Sequence, residues 1–165
     1  PLGHGQVMMK PIVEGRMLQS LDLAPNETVL EIGTGSGFIT ACLAQLAAHV
    51  VSVDIVEEFL EQARRQLEDG GIHNVELHHG DVMRGWQPEQ AHDVVVVTGS
   101  VPVLPESFRG WVNPGGRLFV VTGRSPAMEA RLLTRLGATE WREESLFETD
   151  LPPLVNAEEA PKFEF

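Results

Sequence analysis

The chain has a single cysteine and half as many basic as acidic residues. One cysteine, Cys42, excludes an intramolecular disulfide. Its place in an apolar helical stretch reads as a small packing residue, in keeping with a reducing compartment. Lys plus Arg number 12 against 24 for Asp plus Glu, a net charge of −12. A surface of that sign repels phosphate backbones, so nucleic acid is not an expected partner. No apolar run approaches the roughly 18 residues of a membrane span, and the start lacks the basic-then-apolar layout of a signal peptide. A soluble, cytoplasmic protein with no membrane partner is the expectation. Internal repeats and low-complexity linkers are lacking too, and 165 residues with 42% hydrophobic content fit one compact domain over 1–165.

What is present is an alternation of short apolar runs with longer amphipathic ones. Strands are predicted at Thr28 to Ile32, Val50 to Asp54, Val75 to His79, Asp93 to Val97 and Arg117 to Thr122. The run Asp93-Val94-Val95-Val96-Val97 lacks polar alternation, as a central parallel strand covered on both faces should. Helices are predicted at Phe38 to Ala47, Glu57 to Glu68, Glu106 to Trp111 and Ala127 to Leu136, with Gly70-Gly71 and Gly137 as left-handed stops. Pro114-Gly115-Gly116 marks a turn into the fifth strand. Ahead of the sheet, Pro11 to Leu21 reads as a helix with Ile12, Met17, Leu18 and Leu21 as its apolar face. Behind it, Glu140 to Phe147 and Lys162 to Phe165 read as closing strands. The pattern predicts an α/β, Rossmann-like, doubly wound and mostly parallel sheet of about seven strands with helices on both faces.

The most informative stretch is Val29-Leu30-Glu31-Ile32-Gly33-Thr34-Gly35-Ser36-Gly37, a strand running into glycines and then a helix. Such a loop turns tightly and offers unpaired helix N–H groups, which suits any nucleotide. A dinucleotide fingerprint wants a small residue at its sixth place, where Phe38 would crowd the helix-to-strand packing. Glu31, at the strand end, would oppose a pyrophosphate but could accept from a ligand's ammonium group, directly or through water. Those two residues favour an amino-acid-bearing nucleoside over NAD. Asp54, 21 residues after Gly33, stands where a carboxylate can hold both hydroxyls of a ribose, and Asp81, after Gly80, where it could accept from an adenine amine. Three acids at three successive strand ends point at one crevice.

These residues resemble the glycine motif of the class I S-adenosylmethionine-dependent methyltransferases. More narrowly, the chain resembles the protein-L-isoaspartate O-methyltransferase family. The resemblance rests on Leu30 to Gly37, on Asn113-Pro114-Gly115-Gly116-Arg117-Leu118, on Pro153-Leu154 and on Gly3-His4-Gly5-Gln6-Val7-Met8-Met9-Lys10-Pro11, which is similar to the family's G-x-G-Q-T-I-S-x-P segment. It implies S-adenosyl-L-methionine as cofactor and S-adenosyl-L-homocysteine as product. The acceptor it implies is an L-isoaspartyl carboxylate in a damaged protein or peptide. The cofactor residues it implies are Glu31, Gly33, Thr34, Gly35, Ser36, Gly37, Asp54, Ile55, Gly80, Asp81, Val82 and Thr98; Gln6, Val7, Met8, Met9 and Val155 fall on the acceptor side. Members of the family carry a helical region ahead of this segment, so a domain truncated at its N-terminus is expected.

The departures lie on the acceptor side. Val7-Met8-Met9 stands where the family has Thr-Ile-Ser, and Val155 where it has a threonine. Each replaces a hydroxyl by an apolar group, a change that can cost a hydrogen-bonding pocket several powers of ten in selectivity. The alternative is therefore a cofactor-binding domain, or a methyltransferase for another small or protein acceptor, inactive on isoaspartate. Transfer to an ionised carboxylate needs no general base, so no catalytic acid, base or covalent nucleophile is assigned. Thr98-Gly99-Ser100-Val101-Pro102, read as the loop after the fourth strand, lacks both the Asp/Asn-Pro-Pro-aromatic run of amino-methylating nucleic-acid enzymes and the Pro-Cys of ring-carbon methylating ones. His78 and His79, adjacent in a strand, point to opposite faces, and no metal is expected. Trp86, Trp111 and Trp141 read as packing anchors.

Overall fold

A computed structural model of the chain describes residues 2–157. In chain order the elements are α1 (Pro11–Leu21), β1 (Thr28–Ile32), α2 (Phe38–Leu46), β2 (His49–Asp54), α3 (Glu57–Asp69), β3 (Val75–His79), β4 (His92–Val101), α4 (Glu106–Gly110), β5 (Val112–Arg124), β6 (Ala127–Arg135) and β7 (Trp141–Thr149). The seven strands form one sheet in the order β3-β2-β1-β4-β5-β6-β7. The first five in that order run parallel, and β6 and β7 are antiparallel to their neighbours. The reversal between β2-to-β1 and β1-to-β4 opens a crevice beyond the carboxyl ends of those strands, where ligands of open α/β sheets bind.

The valine run of β4 divides the core. Val94 and Val96 face Met17 and Leu21 of α1 and Ile39 and Leu43 of α2. Val95 and Val97 face the other way, with Phe108 of α4 and Trp111. Helices thus cover both faces, as expected. Arg117 of β5 locks α1 onto the sheet: its guanidinium grips both oxygens of Glu27 at 2.8 Å and donates to the carbonyls of Leu21 and Asp22 at the end of α1. That hydrogen bond from Arg117 holds the Glu27 carboxyl below its ordinary pKa. Arg117→Ala strands Glu27 and two helix-end carbonyls together, and should cost about 2 kcal/mol in urea unfolding.

Four expectations need correction. Ala127 to Leu136 is strand β6 and not a helix, and Gly137 lies in the turn to β7 instead of closing a helix. Met128, Ala130 and Leu132 alternate inward along it, while the backbone pairs with β5 on one side and β7 on the other. Ladder bonds on both edges outweigh the helix preference of Ala, Met, Leu and Glu. Ile12 is 71% exposed, and the buried face of α1 is Val13, Glu14, Met17 and Leu21. Thr98 to Val101 is not loop but the end of β4. Val96 pairs with Phe119 and Ser100 with Val121, so β4 bulges by two residues at Val97 to Gly99. Phe38 is 52% exposed and crowds nothing. The close packing falls to Gly37, where a Cβ would stand 2.9 Å from that of Ala63 on α3. The proposed strand Lys162 to Phe165 lies outside the described residues.

Candidate functional site

Beyond the ends of β1, β2, β3 and β4 lie two adjoining chambers that share Leu2, Val7, Gly33, Gly35 and Thr98 as walls. The larger encloses about 660 Å³ of space, part of it open solvent, and carries Asp54, Ile55, Gly80, Asp81 and Val82. Gln6 and Val155 line it as well, together with Gly99 from the stretch read as the loop after the fourth strand, Leu154 from the Pro-Leu pair of the resemblance, and two residues that sequence reasoning passed over, Val56 and Phe59. The smaller contains Met8, Met9, Thr34, Ser36, Phe38, Ile39 and, also unforeseen, Glu14.

The glycine loop is held from behind. Gly33, at φ +100°, is in a conformation that favours glycine, and a Cβ there would overlap the Thr98 hydroxyl. That hydroxyl donates to the carbonyls of Ile32 (2.9 Å) and Gly33 (2.7 Å), so the β4 bulge fixes the turn out of β1. Thr34 Oγ1 bonds Ser52 Oγ at 2.7 Å, and Ser52 in turn donates to Glu31 Oε1 at 2.6 Å. Thr40 of α2 donates to the same oxygen. Glu31 is wholly buried and lines neither chamber, so of the two expected routes to a ligand ammonium, direct or through water, the direct one gives way to a bracing role beneath the loop. Its Oε2 has no partner among the described residues. Burial first, with a smaller push from Asp54, drives its pKa up to about 7 against the hydrogen bonds of Ser52 and Thr40. Gly37 also lies off the chambers, at the helix contact described above.

Asp54 and Asp81 do reach the larger chamber. Asp54 Oδ2 accepts from the Gly35 N–H at 3.0 Å and Oδ1 from the Val56 N–H at 2.9 Å, which sets the carboxylate between the glycine loop and the start of α3. Each oxygen retains a lone pair for a hydroxyl donor. Asp81 Oδ1 accepts from the Met83 N–H at 2.9 Å, and its Oδ2 from Asn156 Nδ2 at 2.7 Å.

Two terminal segments wall the crevice. At the start, Leu2 and Gln6 close a turn on each other, Leu2 N–H to Gln6 O at 2.8 Å. His4 spans to α3, 2.8 Å from Glu58 Oε2 and edge-on to Phe59. At the far end, Ser100 pins the strand-like stretch after β7: its N–H donates to Pro152 O, its hydroxyl to Leu151 O, and its carbonyl accepts from Leu154 N–H. Leu154 then sits on Gly99, where a Cβ would come within 2.7 Å. A Pro-Leu pair placed after the last strand was the only signal for this, and Asn156 had none.

The chain matches, over residues 1–159, the family model described as Protein-L-isoaspartate(D-aspartate) O-methyltransferase (PCMT). It is similar to a solved Plasmodium falciparum protein assigned as a protein-L-isoaspartate O-methyltransferase, in complex with S-adenosyl-L-homocysteine. The two share 19% identity with a TM-score of 0.80, covering 92% of this chain and 77% of that one. A second protein-L-isoaspartate O-methyltransferase is 26% identical with a TM-score of 0.80. There 92% of this chain is covered, and it spans about half, 49%, of that relative's length. The fold extends to other acceptor chemistries: a Haemonchus contortus phosphoethanolamine N-methyltransferase aligns over 68% of this chain and 25% of its own, at 24% identity and a TM-score of 0.58. The family model therefore discriminates where the fold does not, and its match over nearly the whole length makes this chain a member of the PCMT family.

Proposed function

We propose that this chain transfers a methyl group from S-adenosylmethionine to the side-chain carboxylate of L-isoaspartyl residues in damaged proteins. The observation that carries this is the family match over residues 1–159. The crevice suits the cofactor on its own chemistry. Asp54, steadied by two backbone N–H groups, would accept both ribose hydroxyls, and Asp81 would accept from the adenine amine once Asn156 yields or shares its oxygen. Gly33 and Gly35 let the backbone approach the ligand closely between the two chambers.

Bound S-adenosylmethionine supplies a methyl carbon activated by positive sulfur. The chain's part is alignment and exclusion of water, a proximity effect that needs no base when the acceptor is an ionised carboxylate. Gln6 and the backbone of the segment from Val7 to Met9 would orient the acceptor, with Leu154 and Val155 closing the opposite side. Labelled cofactor and an isoaspartyl peptide should yield a base-labile methyl ester, with the aspartyl isomer unlabelled. No ester above background removes the isoaspartyl acceptor.

One observation favours a second reading, transfer to a different acceptor: Val7, Met8, Met9 and Val155 bring no side-chain hydrogen-bond donor to the acceptor side. Under it the protein binds S-adenosyl-L-homocysteine and leaves the peptide untouched.

A further inference from the structure

Glu14 is a carboxylate on the buried face of a helix, 6% exposed, in the wall of the smaller chamber. No described residue gives its side chain a hydrogen bond or an ion pair, and among the described residues it is the only charged side chain lining that chamber. Two of the three hydroxyls lining the chamber are engaged as donors or in a shared bond, Thr34 with Ser52 and Thr98 with the Ile32 and Gly33 carbonyls, while Ser36 accepts from the Phe38 N–H. The cations on α1 and at its start point elsewhere, Arg16 stacking over the Phe147 ring at 4.2 Å and Lys10 lying exposed. Neither of its oxygens is among the fully solvent-excluded unpaired atoms, so the carboxylate opens on the chamber and not into the core, and a mostly desolvated acid there is compensated where a ligand supplies the missing cation. Desolvation holds its pKa above the ordinary glutamate value.

The arrangement of the chambers says which cation. Asp54 and Asp81 lie in the larger one, so the nucleoside belongs there. Gly33, Gly35 and Thr98 form the shared wall, and whatever extends from the 5′ end of the ribose past that wall enters the chamber of Glu14. Resting on the cofactor reading above, we propose that Glu14 binds the α-ammonium group of the cofactor's amino-acid end, the contact that Glu31, walled off beneath the loop, does not make. An acceptor carboxylate is a poor occupant of the same spot, since Glu14 would repel it.

The test is calorimetry with three probes: S-adenosyl-L-homocysteine, its deaminated analogue, and 5′-methylthioadenosine, which lacks the amino-acid end. The expected result is that Glu14→Gln weakens S-adenosyl-L-homocysteine at least tenfold and changes the other two by less than twofold. The unliganded variant should melt no lower than the parent, because the substitution removes an unpaired buried charge; Glu14→Met, apolar like Met8 and Met9 around it, repeats the test if the amide variant does not fold. Equal weakening of all three probes would reveal a packing role and overturn the proposal, as would no weakening of any. If the unaltered protein binds none of the three, the cofactor reading falls and this inference with it; binding of all three with the Glu14 variants indistinguishable from the parent sinks the inference alone.

Discussion

Asp54→Ala should lower affinity for S-adenosyl-L-homocysteine by two to three orders of magnitude while leaving a folded protein. Two effects combine. The ligand loses an ionised acceptor for its ribose hydroxyls, and hydrogen bonds to a charged group are worth about 1.5–3 kcal/mol each. The glycine loop also loses the Oδ2 that holds the Gly35 N–H, and α3 the Oδ1 that holds Val56, so the loop that lines both chambers is less well organised before binding. Asp54→Asn separates the contributions, since an amide keeps the shape and one acceptor oxygen but not the charge; a loss of about tenfold is expected there. Calorimetry on both variants, with thermal unfolding to establish that they are folded, checks it. Retention of affinity within threefold in the alanine variant would place the ribose somewhere else.

How much of this was legible beforehand depends on whether a local rule or a distant partner decided the outcome. Helix α1 and strands β1 and β3 run between the residues expected of them, because Pro11 opens the helix, β1 is rich in β-branched residues, and β3 alternates Val75 and Leu77 with polar neighbours after the Gly70-Gly71 stop. The acids at the ends of β2 and β3 reach the chamber because a parallel sheet puts its strand ends along one edge. Strand β6 was misread, since Met128, Ala130, Leu132 and Leu133 satisfy a helical period as readily as an alternating one. Only pairing with β5 and β7 decides between them.

The site failed at the same level. Glu14 shares a helical stripe with Met17 and Leu21, so its burial follows from spacing alone, yet a carboxylate is not counted as core unless something demands it. Glu31 was expected at the ligand. Its position at the strand end is right, but strand residues alternate between faces, and Ser52 and Thr40 wait on the face it takes. The contact of Asn156 with Asp81 joins positions 75 residues apart, with no local signature at either.

The buried carboxylate of Glu31 should also make stability depend on pH in a way that one substitution removes. Its pKa in the fold is about 7, above the ordinary 4.5. Below pH 4.5 the group is protonated in both states and burial carries no ionisation cost. Between 4.5 and 7 the unfolded chain releases the proton and the folded chain keeps it, so the stability from this group is lost as pH rises through the folded pKa. Above 7 both states are ionised, and the whole difference, about 3 kcal/mol for a shift of this size, stands against folding. Glu31→Gln keeps an oxygen for Ser52 and Thr40 but cannot titrate. Its amide nitrogen replaces the partnerless Oε2 and adds an offset of its own, which is constant with pH. The measurement is therefore a difference of differences: urea unfolding of parent and variant at pH 4.5 and pH 8, with the variant gaining about 3 kcal/mol relative to the parent over that interval. Carboxylates common to both proteins, Glu27 with its lowered pKa among them, cancel in the comparison. A gap that stays constant with pH would mean that Glu31 ionises in the fold as easily as in water, and that Ser52 and Thr40 are solvation enough for the charge beneath the loop.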